Sequence, residues 1–150
     1  MNRTIGRWAI PLAVLASNAG LAAAAAEEQY ETRLASLPMD MITRDSVAGW
    51  GKASAVLSGK TLKVSATFEG LSSNATAAHL RDGIARGARG PVIAPLTVSG
   101  ATSGTVSGTV TLKPAQLASL RAGRLYVQID SAKAADGNLW GWLHATAISE

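Results

Sequence analysis

His79, Arg81, Asp130 and His144 are the polar residues of this 150-residue chain whose types combine into a site. Imidazole nitrogens and a carboxylate are ligands for a transition metal, so His79, Asp130 and His144 form one candidate metal set. Simpler chemistry fits the same residues. Arg81 and His79 can grip an acidic group, or Arg81 and Asp130 can form an ion pair that pins the loop after Arg81 to the end of the chain. A guanidinium two residues from an imidazole repels a divalent cation. Two histidines also fall short of the three ligands of a catalytic zinc unless Asp130 completes the set. The ion pair is therefore the preferred reading, and metal binding the alternative.

Two alternating runs near the C-terminus position most of these groups. Residues 124–130 read Arg-Leu-Tyr-Val-Gln-Ile-Asp and residues 138–144 read Asn-Leu-Trp-Gly-Trp-Leu-His, with an Asp136-Gly137 turn signal between them. Side chains alternate faces along a strand, so Leu125, Val127 and Ile129 point one way while Arg124, Tyr126, Gln128 and Asp130 point the other. If the hairpin closes symmetrically over residues 131–137, Tyr126 faces Trp142, Gln128 faces Trp140 and Arg124 faces His144, with Cβ atoms about 5 Å apart. Tyr126, Trp140 and Trp142 then form an aromatic row. Left open, it is a surface for a glycan, peptide or protein; covered by the segment around Tyr30 or Trp50, it is a second core layer. The covered arrangement is the preferred reading, because large apolar patches are rarely left bare.

Other chemistry finds no support in the motifs. Arg81, Arg86 and Arg89 border the glycine-rich loop 83–90, but a phosphate cradle needs glycines leading into a helix, and Pro91-Val92-Ile93 leads into a strand. There is no Gly-x-Ser-x-Gly elbow, no cysteine nucleophile and no His-Glu-x-x-His helix. The chain reads as a protein without enzymatic activity and without a cofactor.

Upstream of the hairpin the pattern is mostly of period two. Residues 53–57 and 62–68 alternate around a Ser58-Gly59-Lys60 turn, with Leu62, Val64, Ala66 and Phe68 on one side and Lys63, Ser65, Thr67 and Glu69 on the other. Further strands are read at 76–81, at 92–98, where Pro95 implies an edge or a bulge, and at 104–112. An earlier strand is read at 30–34, with Pro38 breaking any helix. Pro114 at a first helical position and Gly123 as a stop predict one short helix over 114–121, with Leu117 and Leu120 on one side. Short strands of this spacing, rich in Gly and Thr, predict an antiparallel β-sandwich or barrel. Leu62, Val64, Phe68, Leu125, Val127, Ile129 and Leu143 are its predicted core.

The first residues set the compartment. Arg3 and Arg7, an apolar run over 8–16 and an alanine-rich stretch ending at Ala26 have the order of a secretory signal peptide. Removing 26 of the 150 residues leaves 124, one domain's worth. The 14 Lys and Arg then fall to 12 against 10 Asp and Glu, a net charge of +2 that argues against nucleic acid. An exported chain with no cysteine is held by its core and hydrogen bonds alone. The chain thus divides into a signal peptide over 1–26, an extended segment over 27–46 and a β-domain over 47–148. No membrane association is expected once the signal is removed.

Thr76-Ala-Ala-His79-Leu-Arg81, Gly90-Pro91-Val92, the segment 112–120 ahead of Gly123, Leu125-Tyr126-Val127 and Gly137-Asn-Leu-Trp-Gly141-Trp-Leu143 resemble, in that order, the CHRD domain, the repeat first described in chordin. The resemblance covers about residues 47–143. It implies an immunoglobulin-like antiparallel β-sandwich from exported proteins with no established enzymatic activity. CHRD domains often carry a His-x-His pair where this chain has His79-Leu80-Arg81, a further histidine at the place of Asp130, and an arginine at the place of Trp140. A metal site is therefore not carried over. The reading is an exported binding or structural module of the periplasm or cell exterior, taking an envelope or extracellular protein or a glycan as partner. His79, Arg81, Asp130, Tyr126, Trp140 and Trp142 are its candidate surface.

Overall fold

The strictest alternation in the chain folds into the longest hairpin. The computed structural model describes residues 26–36 and 45–146; the signal-peptide reading of residues 1–25 lies outside them, as does Pro38. We number the strands in chain order: β1 Glu28–Ala35, β2 Trp50–Ser58, β3 Thr61–Glu69, β4 Ala75–Asp82, β5 Val92–Val98 and β6 Gly104–Thr111. The helix α1, Pro114–Arg121, follows, and then β7 Leu125–Ser131, β8 Ala134–Trp142 and β9 His144–Ala145. In β3 every second side chain is buried without exception. Gly59, at φ +61°, supplies the first residue of the two-residue turn that joins β2 to β3, a conformation that only glycine adopts freely.

All strand pairs are antiparallel, in the order β2-β3-β6-β5-β4-β7-β8-β1, and β1 returns to pair with β2 along its full length. The eight strands thus close into one barrel rather than the two separate sheets of the expected sandwich. The ladder that decides this is β1 against β2, from Glu28↔Leu57 to Ala35↔Trp50. It takes what would be the free edge of one sheet and carries it to β8. Two seams are thin. β5 meets β6 only at Thr97↔Ser107 and Val98↔Val106, beyond Pro95, which has no N–H to give a ladder. The register of β4 against β5 also shifts, between Leu80 and Arg81. At the other seam β1 meets β8 at Ala35↔Trp140, and β9 resumes the pairing at Glu31↔His144 and Tyr30↔Ala145. Between these points Gly141 lies so close to β1 that a Cβ there would stand 2.7 Å from the Arg33 carbonyl oxygen.

The interior is one apolar cluster fed by the inward residues of the ring. Leu62, Val64, Phe68, Leu125, Val127, Ile129 and Leu143 are all buried, as predicted, and Leu80 and Leu139 join them. The helix occupies its predicted span. The Lys113 N–H is satisfied by Gln116 Oε1 at 2.8 Å, and Gly123 at φ +71° ends the last turn. Leu120 is buried and Leu117 packs on the core beside it. A bidentate pair ties the helix to the first strand: Arg121 donates through Nε and Nη2 to the Glu28 carboxylate, at 3.2 and 2.6 Å. The Tyr30 hydroxyl donates to the same carboxylate at 2.6 Å.

That junction sets two pH limits. Hydrogen bonds from Arg121 and Tyr30 hold the Glu28 carboxyl below its ordinary range, so its contribution is present above pH 4.5 and is lost as acid protonates it. Burial, reinforced by Glu28, pushes the Tyr30 phenol up to about 12 from 10.0. A raised folded pKa gives stability that is complete below pH 10.0 and disappears as pH climbs through about 12. Chemical denaturation between these values should show stability falling on the alkaline side, and Tyr30→Phe should flatten that limb. An unchanged limb in the variant would remove Tyr30 as its cause. In the core, Phe68→Ala should cost about 3–5 kcal/mol in a denaturant titration, whereas Lys63→Ala, on the exposed face of the same strand, should stay within about 0.5 kcal/mol. Equal costs would invert the face assignment.

Candidate functional site

The outer faces of β4, β7 and β8 carry nearly all the residues singled out in the sequence, and register decides who meets whom. His79 stands opposite Gln128, which stands opposite Trp140. One row along, Arg81 faces Tyr126, which faces Trp142; one row the other way, Asp130 faces Ala77. The pairings of Tyr126 with Trp142 and of Gln128 with Trp140 are those the symmetric hairpin predicts. Arg81 and Asp130 are not neighbours, however. Four residues of extended chain separate their rows, about 13 Å, and the expected ion pair between them does not form.

Gln128 stands in its place. Its Oε1 accepts from Arg81 Nη1 at 3.3 Å and from Trp140 Nε1 at 3.0 Å, while its Nε2 donates to Asp130 Oδ1 at 2.7 Å and to the Asp136 carbonyl at 3.4 Å. One amide can make about four such bonds, and this one makes them all. Gln128 is 2% exposed, so each bond replaces water that cannot reach it. Asp130, also buried, has a second neighbour in His79, whose Nδ1 lies 3.4 Å from Oδ2. That imidazole nitrogen is buried without a hydrogen-bond partner among the described residues.

The aromatic row is covered, although not by Tyr30, which lies in the main core, nor by Trp50, which is 48% exposed. Val47 packs on Tyr126 and Trp140 to make a small second core, with Trp142 at its border. Loop 83–90 closes the other side. Arg81 Nε donates to the Gly90 carbonyl at 3.0 Å, the Gly90 N–H donates to the Tyr126 hydroxyl at 3.1 Å, and the Arg89 guanidinium lies 4.8 Å over the Trp140 ring. A Cβ on Gly90 would overlap the Asp82 carbonyl oxygen, so only glycine lets the loop lie this close. Tyr126 and Trp142 stack with centroids 4.7 Å apart. Tyr126, Trp140 and Asp130 are thus interior residues, and His79, Arg81 and Trp142 are the members of the set that are half-buried.

His144 stands apart. The chain turns at Leu143, whose N–H donates to the Leu125 carbonyl, and His144 emerges exposed on β9 opposite Glu31 instead of facing Arg124. Arg124 reaches Ser119 Oγ at 2.6 Å, and that hydroxyl donates to Asp82 at 2.9 Å. His79, Asp130 and His144 therefore do not come together. Among the described residues no group of three His, Cys, Asp or Glu side chains is placed to hold a metal.

The turn of the hairpin is displaced as well. It falls at Ala132-Lys133, between Ser131↔Ala134, and Asp136-Gly137 lies in a bulge of β8 with Gly137 at φ +120°. Two contacts outside the hairpin fix it there: Ala132 N–H to the Asn74 carbonyl, and Lys133 N–H to Ser73 Oγ at 2.9 Å. The bulge is what aims the Asp136 carbonyl at Gln128. Sequence reasoning missed Gln128 as the centre of the cluster, although its place between Tyr126 and Asp130 on one face was a signal. Val47 and Gly90 carried no such signal, because their partners are remote in the chain.

A closed antiparallel barrel with one end-capping helix, whose chemically suggestive side chains are tied to one another beneath a loop, defines a class of all-β domain. Within that class the chain belongs to the CHRD domain family, whose model matches residues 36–143. The match starts ahead of residue 47, where the sequence resemblance begins, and takes in the stretch that leads to Val47. Comparison with curated proteins and with solved structures gives no match.

Gln128→Leu keeps the volume and removes all four bonds. It should destabilise the protein by about 3 kcal/mol or more, since Asp130, Arg81 and the Trp140 indole are each left short of a partner. The Trp140 indole N–H should also lose its protection from hydrogen exchange. A cost under about 1 kcal/mol with protection retained would show that the amide is not the centre of the cluster.

Proposed function

We propose that this protein acts, after export, as a non-catalytic binding or structural module of the periplasm or cell exterior. CHRD family membership supports a module of this kind. The observation that carries the reading is the saturation of Gln128. Acid–base or nucleophilic catalysis needs a group free to exchange a proton or attack a substrate, and here Arg81, Asp130 and Trp140 are all engaged by one buried amide. His79 beside Asp130 is the one imidazole–carboxylate contact of the cluster, and no hydroxyl hydrogen-bonds to it among the described residues. The cluster fixes loop 83–90 and the hairpin as one rigid block, which is what a recognition scaffold requires.

The partner belongs to the compartment the leader implies: an envelope or extracellular protein, or a glycan. Export is tested by intact-mass measurement on protein recovered from the periplasm or medium. The expected species begins at Glu27. Recovery of the chain with Met1 to Ala26 attached in a membrane fraction would overturn the export reading. Turnover of an ester, peptide or glycoside substrate that is abolished by His79→Ala would overturn the non-catalytic one.

A further inference from the structure

The outer face of β1, β2, β3 and β6, with the end of β9, forms an open groove of 730 Å³ that none of the residues discussed above explains, His144 apart. We propose that this groove binds an acidic polysaccharide. Strand register arranges its lining in rows that run across the strands. Along one row lie His144, Glu31, Ser54, Ser65 and Ser107. In the next, Arg33, Lys52, Thr67 and Thr105 follow one another. At the spacing of neighbouring strands, the longer row runs about 19 Å from end to end.

Each part of this lining suits one part of a carboxylated sugar chain. The hydroxyls of Ser54, Ser65, Thr67, Thr105 and Ser107 can donate and accept, as sugar hydroxyls do. Among the described residues none is hydrogen-bonded to a protein group. Glu31 adds an acceptor. Arg33 and Lys52 stand directly opposite each other across β1 and β2, and like charges in that position destabilise a sheet. Neither forms an ion pair with another described residue. An arrangement that weakens the fold and leaves two cations side by side is one that a bound anion relieves. Trp50, exposed and two residues before Lys52 on the same side of β2, offers a ring face next to the groove.

An extended peptide is the less favoured occupant. Peptides that bind sheets add a strand to a free edge, and the eight-stranded ring closes on itself, with the groove running across its strands. Nucleic acid is less favoured still, since successive bases need a series of aromatic faces along the strand, and the groove has only His144 at one end and Trp50 beside it among the described residues.

The inference rests on the binding-module reading and is tested apart from it, by titrating the mature protein with oligogalacturonate, with alginate oligomers and with neutral maltooligosaccharides, using calorimetry and tryptophan fluorescence. The carboxylated oligomers should bind, more weakly as salt is raised, and the neutral ones should not. The double variant R33A/K52A should bind about tenfold more weakly with no loss of thermal stability, because it removes an opposed pair of like charges. Lys133→Ala, in the β7–β8 turn, should bind as the parent does. Trp50→Phe should abolish the fluorescence response. No binding of either acidic oligomer, equal binding of the neutral one, or undiminished binding by R33A/K52A would overturn the proposal. Any of these alongside a stoichiometric complex with an envelope protein would overturn it while leaving the module reading in place.

Discussion

A strand with solvent on neither side has no water to satisfy its polar side chains, and β7 is such a strand: all seven of its residues are buried. Leu125, Val127 and Ile129 on its inner face join the main core. Its outer face carries Tyr126, Gln128 and Asp130, a phenol, an amide and a carboxylate that must each find partners within the protein. The positions of loop 83–90, of Val47 and of the β8 bulge follow from that demand. Gly90 presents both backbone groups to Tyr126 and Arg81, and the bulge turns the Asp136 carbonyl toward Gln128. An amide suits the central place because it donates and accepts at once. It can therefore stand between a cation and a carboxylate that the register keeps apart.

Closure of the ring is the second constraint. A two-sheet sandwich needs the outer strands of each sheet protected against pairing with other chains. Here β1 supplies the protection by pairing with β2 on one side and with β8 and β9 on the other. The cost is local crowding, borne by Gly141 where β8 passes β1. Pro95 limits the opposite seam, and the barrel is held there by two residue pairs only. The ring is strongest through the β1-β2-β3-β6 and β4-β7-β8 ladders and weakest where these two blocks meet.

What could be read in the sequence was what depends on near neighbours. Alternation placed β2, β3 and the inward set from Leu62 to Leu143, and Pro114 with Gly123 bounded the helix, because each signal acts within a few residues of itself. The facing of Tyr126 to Trp142 also followed from local symmetry. What could not be read depends on remote pairing. The offset between β4 and β7 sets Arg81 two rows from Asp130, and nothing in either strand announces it. Asp136-Gly137 is instructive in another way: it satisfies its preference for positive φ in a bulge as well as in a turn, so a correct local preference led to the wrong place. Tertiary contacts from Ser73 and Asn74 selected Ala132-Lys133 instead. The sandwich implied by family resemblance gave way for the same reason, since closure depends on a strand lying ahead of the segment that carries the motifs.

The pairing of β9 with β1 brings the start and the end of the described barrel to one spot, where the Thr146 N–H reaches the Gln29 carbonyl at 2.9 Å. A pull applied between these two points would not load the hydrogen bonds of that seam together, as it would for strands drawn past each other lengthwise. It would open them one after another from the outer end, like a zip. Under such a pull the most yielding line of the domain is therefore the place where its first and last strands touch.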